Sequence, residues 1–316
     1  MNCIVTGAAG FIGSHLSRRL LQEGFSVIGI DSYSDYYPRW MKEKNIKPLL
    51  NDKNFTFILG DINSLDLSGP LRQTDIIYHL AAQAGVRASW GKSFSIYTKD
   101  NIEATQKLLE EAKDLSIKKF IFASSSSVYG HCPELPMSET SLLFPYSPYG
   151  VTKLASENLC YLYHKNYGVP TVSLRFFTVY GPGQRPDMAF HKFFKCVIDD
   201  KPLPIYGDGK QTRDFTYVTD IIDANISCID RGKPGERYNI GGGNRKKLED
   251  LFPILEDICE KKIPIQWEKE QKGDVPHTLA SIQKAQNDLG YAPDTEIRKG
   301  LSNEWEWIKK LYSPEG

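Results

Sequence analysis

Through its first half the chain alternates short apolar runs with amphipathic segments. NCIVTG, SVIGID, FTFILGD, IIYHLAA and KFIFASS are each uninterrupted apolar stretches that end in small or polar residues. Such runs predict strands buried on both faces. Between them, FIGSHLSRRLLQEG and NIEATQKLLEEAKDL repeat apolar residues at helical spacing. Strand and helix in strict alternation predict a parallel sheet wrapped on both faces, an α/β fold. TVSLRFF continues the series as a sixth strand. After about residue 178 Pro and Gly become frequent, and AFHKFFKCVIDD, KLEDLFPILEDI and GLSNEWEWIKKL predict helices between short strands. The expected division is a doubly wound domain over residues 1–177 with roughly 215–240, and a smaller α/β domain over 178–214 and 241–316.

Glycines punctuate the first strand-to-helix junction, TGAAGFIGSHL. Gly7 permits the tight turn, Gly10 lets the backbone approach a pyrophosphate, and Gly13 lets the helix pack closely on the strand. The uncapped helix N-terminus then offers N–H groups and partial positive charge to phosphates. Asp31 ends the next strand, where a carboxylate accepts hydrogen bonds from a ribose diol and repels a 2′-phosphate. This predicts NAD rather than NADP, although Arg39 and Lys42 stand nearby and carry the opposite preference. Asp61 ends the third strand, and two readings fit it: a contact to adenine or a strand-end cap.

SPYGVTKLASE places Tyr149 and Lys153 four apart, on one face of a helix. A phenol titrates near pH 10, and a neighbouring ammonium favours the phenolate, so the pair suits a general base. Just upstream, FASSSSVYG ends a strand in four hydroxyls, Ser124 to Ser127, any of which would share a hydrogen bond with the tyrosine and a substrate oxygen. The loop TVYGPGQRPDMA sets Arg185 between turn formers and Pro186. A guanidinium there is a planar fork for a carboxylate. The competing reading pairs Arg185 with Asp187 or another acid.

TGAAGFIG, HLAAQAGVR, FASSSSVYG, YGVTK and RDFTYVTDI, in that order, resemble the extended short-chain dehydrogenase/reductase family, within it the nucleotide-sugar epimerases and dehydratases. RFFTVYGPGQRPDMAF resembles the UDP-glucuronic acid 4-epimerases, whereas UDP-glucose 4-epimerases more usually carry Asn at the position of Thr178. The resemblance implies a Rossmann-type fold and a tightly held NAD+ that is regenerated in each turnover. It assigns the cofactor to Gly7, Gly10, Phe11, Ile12, Gly13, Asp31, Asp61, Ile62, Leu80, Ala81, Ala82, Tyr149 and Lys153. Tyr149 would take the proton from the hydroxyl on carbon 4 while hydride passes to the nicotinamide. Lys153 would lower the pKa of the tyrosine, and Ser125 or Ser126 would supply the hydroxyl partner. The resulting 4-keto sugar turns over and is reduced on its other face, so the enzyme is an isomerase. Thr178 and Arg185 would hold the carboxylate, Arg213 the diphosphate, Tyr206 the uracil and Asp274 the uridine ribose; Arg87 either joins the site or is structural.

The same family sets the alternatives. Sugar 4,6-dehydratases carry an Asp–Glu pair before VYG, where Ser126 and Ser127 stand here, and neither hydroxyl replaces a carboxyl acid or base. UDP-glucuronate decarboxylases usually carry Glu at the position of Ser127. UDP-glucose 4-epimerisation is the remaining relative. Outside the class stand an oxidoreductase that releases NADH and a non-catalytic NAD-binding module.

Composition narrows the setting. Lys plus Arg and Asp plus Glu are 39 each in the 316 residues, so net charge supplies no general attraction to nucleic acid or an anionic membrane. The six cysteines form no C-x-x-C pair and the six histidines no ligand spacing, so neither a disulfide framework nor a metal is expected. No apolar run has the length of a membrane span, and the opening MNCIVTG predicts a strand rather than a signal peptide. A reducing cytoplasm is the expected location. Relatives are usually homodimers through the YGVTK helix, on which Leu154, Leu159 and Leu162 are the apolar candidates.

Overall fold

The structure is a computed structural model that describes residues 1–313. Its first half runs β1 (Asn2–Thr6), α1 (Phe11–Gln22), β2 (Ser26–Asp31), α2 (Arg39–Ile46), β3 (Phe55–Leu59), α3 (Ser68–Arg72) and β4 (Ile76–His79). Next come α4 (Phe94–Tyr97), a π-helical segment (Thr98–Glu103), α5 (Ala104–Ala112), β5 (Lys119–Ser125), α6 (Pro148–Tyr167) and β6 (Thr171–Phe176). The remainder comprises β7 (Thr178–Tyr180), α7 (Ala189–Ile198), β8 (Leu203–Tyr206), β9 (Thr212–Tyr217), α8 (Val218–Arg231) and β10 (Arg237–Ile240). It ends with β11 (Asn244–Lys247), α9 (Phe252–Cys259), β12 (Ile265–Glu268), α10 (Gln283–Leu289) and α11 (Ile297–Tyr312).

Among the described residues, a seven-stranded sheet has the order β3-β2-β1-β4-β5-β6-β10, and every pairing in it is parallel. The sequence reading of a doubly wound α/β sheet therefore holds, and β10 extends it by a strand. The apolar runs are continuous because both faces are covered. Cys3 and Val5 join the core beneath α1 and α8, whereas Ile4 joins the one beneath α5 and α6. Ile121 and Phe122 divide in the same way, as the period of two in a strand requires. The order in which strands are added reverses between β1 and β4, and in such a sheet the crevice beyond the strand ends at that point receives ligands.

Two small sheets lie beyond those strand ends. β7 pairs parallel with β9, β11 runs antiparallel on the other side of β9, and β12 pairs with β8. α11 packs against α7 and α9. Trp305 is buried on Phe194 and Trp307 lies against His191, so both tryptophans pack on α7. Among the described residues, no helix is long and apolar enough to cross a membrane, and no cluster of three or more His, Cys, Asp or Glu could hold a metal.

Candidate active site

All of the candidate residues named from the sequence line one cavity of about 750 Å³. It runs from the β1–α1 turn past the start of α6 to β8 and β9. At one end, Gly7 sits at φ +70 with its hydrogen-side face 2.9 Å, by the place of a Cβ, from the Ala81 nitrogen. A Cβ on Gly13 would stand 2.1 Å from the Gly7 carbonyl oxygen, so only glycine lets α1 start this close to the turn. Gly10 is the N-cap and brings no side chain to the first turn. The N–H groups at the start of α1 are therefore left for a ligand. Asp31 accepts the N–H groups of Ala9 (3.1 Å) and Tyr33 (2.9 Å). Burial raises its pKa against those bonds. The two nearby cations are engaged: Arg39 pairs with Glu43 (2.7 Å), and Lys42 is buried on the Ser34 carbonyl (2.6 Å). Asp61 accepts the Asn63 N–H (2.9 Å) and pairs with Lys99 (2.6 Å), so the strand-end cap is present.

α6 starts where its sequence dictates. The Ser147 hydroxyl accepts the Gly150 N–H (3.1 Å) and Pro148 occupies the first turn. Tyr149 thus falls in the first turn, with Lys153 one turn on. The four serines diverge. Ser124 turns away and donates to buried Glu157 (2.7 Å), Ser125 stands beside the Tyr149 phenol with its hydroxyl donating to that of Ser127 (3.2 Å), and Ser126 opens a short 3₁₀ turn. The Ser127 N–H in turn donates to the Ser125 hydroxyl (3.1 Å).

Burial pushes the Tyr149 pKa above its ordinary value, while the charge of Arg185 and the Ser125 hydroxyl pull it down. The cation expected to do this was Lys153. Its ammonium instead donates to the Ala123 carbonyl (2.8 Å) and lies over the Phe122 ring, because β5 offers the nearest acceptor. Burial lowers the Lys153 pKa to about 8. Arg185 also departs from the expected open fork. Its Nε and Nη2 donate to Asp187 at 2.9 and 3.0 Å, so the competing reading of this loop is the pairing that forms.

At the far end, Arg87 pairs with Asp274 (2.6 Å) and stacks 4.1 Å from the centre of the Tyr206 ring. Arg213 donates to the carbonyls of Thr212 (3.0 Å) and Pro276 (3.2 Å), and burial lowers its pKa. A buried cation held by carbonyls favours an incoming anion. Thr178, the first residue of β7, lines the same cavity.

Several residues that shape the site carried no sequence signal. Asn101, in the π-helical segment, donates to the Gln83 carbonyl (3.0 Å) and to Thr152 on α6 (2.9 Å). Tyr97 packs edge-on to Tyr149 and donates to the carbonyls of Ala84 and Gly85. The Arg185 loop is held from three sides: His15 meets the Pro182 carbonyl (2.7 Å), Glu304 accepts the Gly181 N–H (2.8 Å), and Tyr36 donates to Asp187 (3.0 Å). These are contacts across the fold, between residues up to 167 positions apart, that no local pattern announces. His79, at a buried strand end, is packed between the hydroxyls of Thr6 and Thr105, and burial lowers its pKa to about 3.

The sequence model of the NAD dependent epimerase/dehydratase family matches residues 3–241. A relative from Bacillus subtilis, the uncharacterised UDP-glucose epimerase YtcB, is 47% identical over 100% of both chains. A UDP-glucuronate 4-epimerase from Thermodesulfobacterium geofontis is 39% identical over 97% of this chain and 96% of its own. The crystal structure of a UDP-glucuronic acid 4-epimerase from Bacillus cereus, in complex with UDP-glucuronic acid and NAD, superposes with a TM-score of 0.97 at 47% identity. It covers 99% of this chain and 100% of that one. Motif order, sheet topology and likeness along the whole length agree, and this protein is a member of the NAD dependent epimerase/dehydratase family.

Proposed function

We propose that the protein converts UDP-glucuronic acid to UDP-galacturonic acid by NAD-dependent epimerisation at carbon 4. The observation that carries this reading is Arg185, on the cavity wall, with its charge bearing on Tyr149. It is supported by the Bacillus cereus and Thermodesulfobacterium relatives. The residues around the glycine turn fit a dinucleotide: a cradle that any Cβ would fill, an uncapped helix start, and Asp31 for a ribose diol. When bound, NAD+ takes a hydride from carbon 4 and later returns it to the opposite face.

The protein's own groups do the rest. Tyr149, with Ser125 beside it, removes the proton from the carbon-4 hydroxyl and gives it back to the turned-over 4-keto sugar. Lys153 holds the cofactor side of α6. Arg213 and Arg87 receive the diphosphate and uridine, with Tyr206 and Asp274 beside them. Arg185 and Thr178 hold the carboxylate. That grip matters because a 4-keto glucuronic acid is a β-keto acid. It loses carbon dioxide when the C5–C6 bond lines up with the carbonyl π system, so suppression is a matter of orientation. Residues 178–214 and 241–313 form the sugar-nucleotide side of this arrangement.

We place the enzyme in the cytoplasm as a homodimer. Support for the dimer comes from α6, where Val151, Tyr161, Leu162 and Tyr167 are exposed. Of the three leucines expected there, Leu154 and Leu159 pack inward and only Leu162 faces out.

A second reading, UDP-glucose 4-epimerisation, draws on the name of the Bacillus subtilis relative and on Asp187 already occupying the Arg185 fork. An NMR time course with UDP-glucuronic acid and no added cofactor separates the two. UDP-galacturonic acid is the expected product. Turnover of UDP-glucose with none of the glucuronate would establish the second reading, and UDP-pentose with carbon dioxide would make the enzyme a decarboxylase.

A further inference from the structure

A guanidinium offers two edges for bidentate binding, Nε/Nη2 and Nη1/Nη2. In Arg185 the first edge is taken by its own loop, with Nε to Oδ1 of Asp187 at 2.9 Å and Nη2 to Oδ2 at 3.0 Å. Asp187 is itself held from the nucleotide-binding half. The Tyr36 hydroxyl, five residues beyond Asp31, donates to Asp187 Oδ2 at 3.0 Å. The Arg185 guanidinium lies 5.7 Å from the centre of the Tyr36 ring. Gly85 makes room for the Tyr36 hydroxyl, since a Cβ there would stand only 2.2 Å from it. Burial opposes the charge on Asp187, but Arg185 and Tyr36 outweigh it and hold the carboxyl below its ordinary range. The pair is therefore an ion pair in a fixed plane rather than a loose surface contact.

We propose that Asp187 and Tyr36 are positioning residues that leave the sugar carboxylate only the Nη1/Nη2 edge of Arg185, and that this fixed edge sets the C5–C6 rotation that keeps carbon dioxide in place. The inference rests on the reading of Arg185 as the carboxylate partner. If the plane is lost, the carboxylate can rotate into line with the 4-keto group. The C5–C6 bond then breaks, its electron pair enters the carbonyl as an enolate, carbon dioxide departs, and C5 takes a proton from solvent. The product is a UDP-4-keto-pentose, which becomes a UDP-pentose if the hydride taken from carbon 4 is returned to it and otherwise leaves that hydride on the cofactor. Arg185 also bears on the Tyr149 pKa, so the rate changes as well, and the ratio of products rather than the rate is the quantity that reports the plane.

The test is the product ratio from UDP-glucuronic acid, followed by NMR, for the wild type, Asp187→Asn and Tyr36→Phe. Asp187→Asn keeps shape and removes the charge; Tyr36→Phe removes one hydrogen bond and leaves the ion pair. The expected result is a rise in decarboxylated pentose relative to UDP-galacturonic acid of at least about tenfold for Asp187→Asn, and a smaller rise for Tyr36→Phe. Unchanged melting temperature and bound NAD show that the variants are folded. An unchanged ratio in both variants, with or without slower turnover, overturns the proposal while leaving the epimerase reading intact. A wild type that makes no UDP-galacturonic acid overturns that reading and this inference with it.

Discussion

Glu304 lies on α11 with its carboxyl buried behind the loop that carries Arg185. One oxygen accepts the Gly181 N–H at 2.8 Å, and the other has no hydrogen-bond partner among the described residues. Burial raises its pKa well above the ordinary glutamate value, with the Gly181 bond pulling weakly the other way. A carboxyl raised in the folded state contributes stability that is full below the unfolded pKa and is lost as pH rises to the folded one. From about pH 4.3 upward, each pH unit therefore costs about 1.4 kcal/mol until the folded pKa is reached. With an unfolding entropy of roughly 2.1 cal/mol/K per residue over the whole chain, that is about 2 °C in Tm per pH unit. Glu304→Gln imitates the protonated acid without titrating. Its Tm should stay close to that of the wild type at pH 5 and rise above it by about 2 °C per unit, levelling off at the folded pKa. Asp220, which burial raises to about 6, titrates in the same sense, so the difference between the two proteins is the quantity to read. Thermal melts from pH 5 to 9 at fixed NAD concentration measure it. Glu304→Ala, which does not titrate either but orphans the Gly181 N–H, should lie about 1–3 kcal/mol below Glu304→Gln at every pH. Parallel curves for wild type and Glu304→Gln would refute the assignment of a proton-linked buried acid.

Three further outcomes are expected. Tyr149→Phe should lower kcat by about 10²–10⁴-fold with bound NAD unchanged, and retained turnover would remove the tyrosine from the proton transfer. Gly13→Ala, whose Cβ would stand 2.1 Å from the Gly7 carbonyl oxygen, should abolish co-purifying NAD as read by absorbance of the denatured protein; undiminished NAD would show that the turn has room to shift. Arg87→Ala removes the stack on Tyr206 and the pair with Asp274, both partly solvated. It should raise KM roughly three- to tenfold with kcat within about twofold, and a fall in kcat at constant KM would place Arg87 in the chemistry instead.

The sheet and the catalytic helix were legible because their causes are local. Continuous apolar runs state a strand covered on both faces, Gly7, Gly10 and Gly13 state a close approach, and Ser147–Pro148 states where a helix starts. The candidates named from those features line one cavity with Tyr206, Arg213 and Asp274, which the family resemblance supplied. Which serine meets Tyr149 was not legible: four identical hydroxyls differ only in where the end of β5 points each, and Ser124 is drawn off by Glu157. The partners of the charged groups were also undecided. Lys153 goes to a carbonyl of β5, Arg39 to Glu43, and Arg185 to Asp187 two residues away, because a charge takes whatever acceptor the folded chain leaves nearest. The amino-acid sequence by itself determined the sheet, the cofactor turn and the Tyr149–Lys153 pair, all set by neighbours within a turn or a strand. Only the tertiary structure decided that His15, Tyr36 and Glu304 converge on the loop of Arg185, since each is brought there from a distant element by the packing of the whole fold.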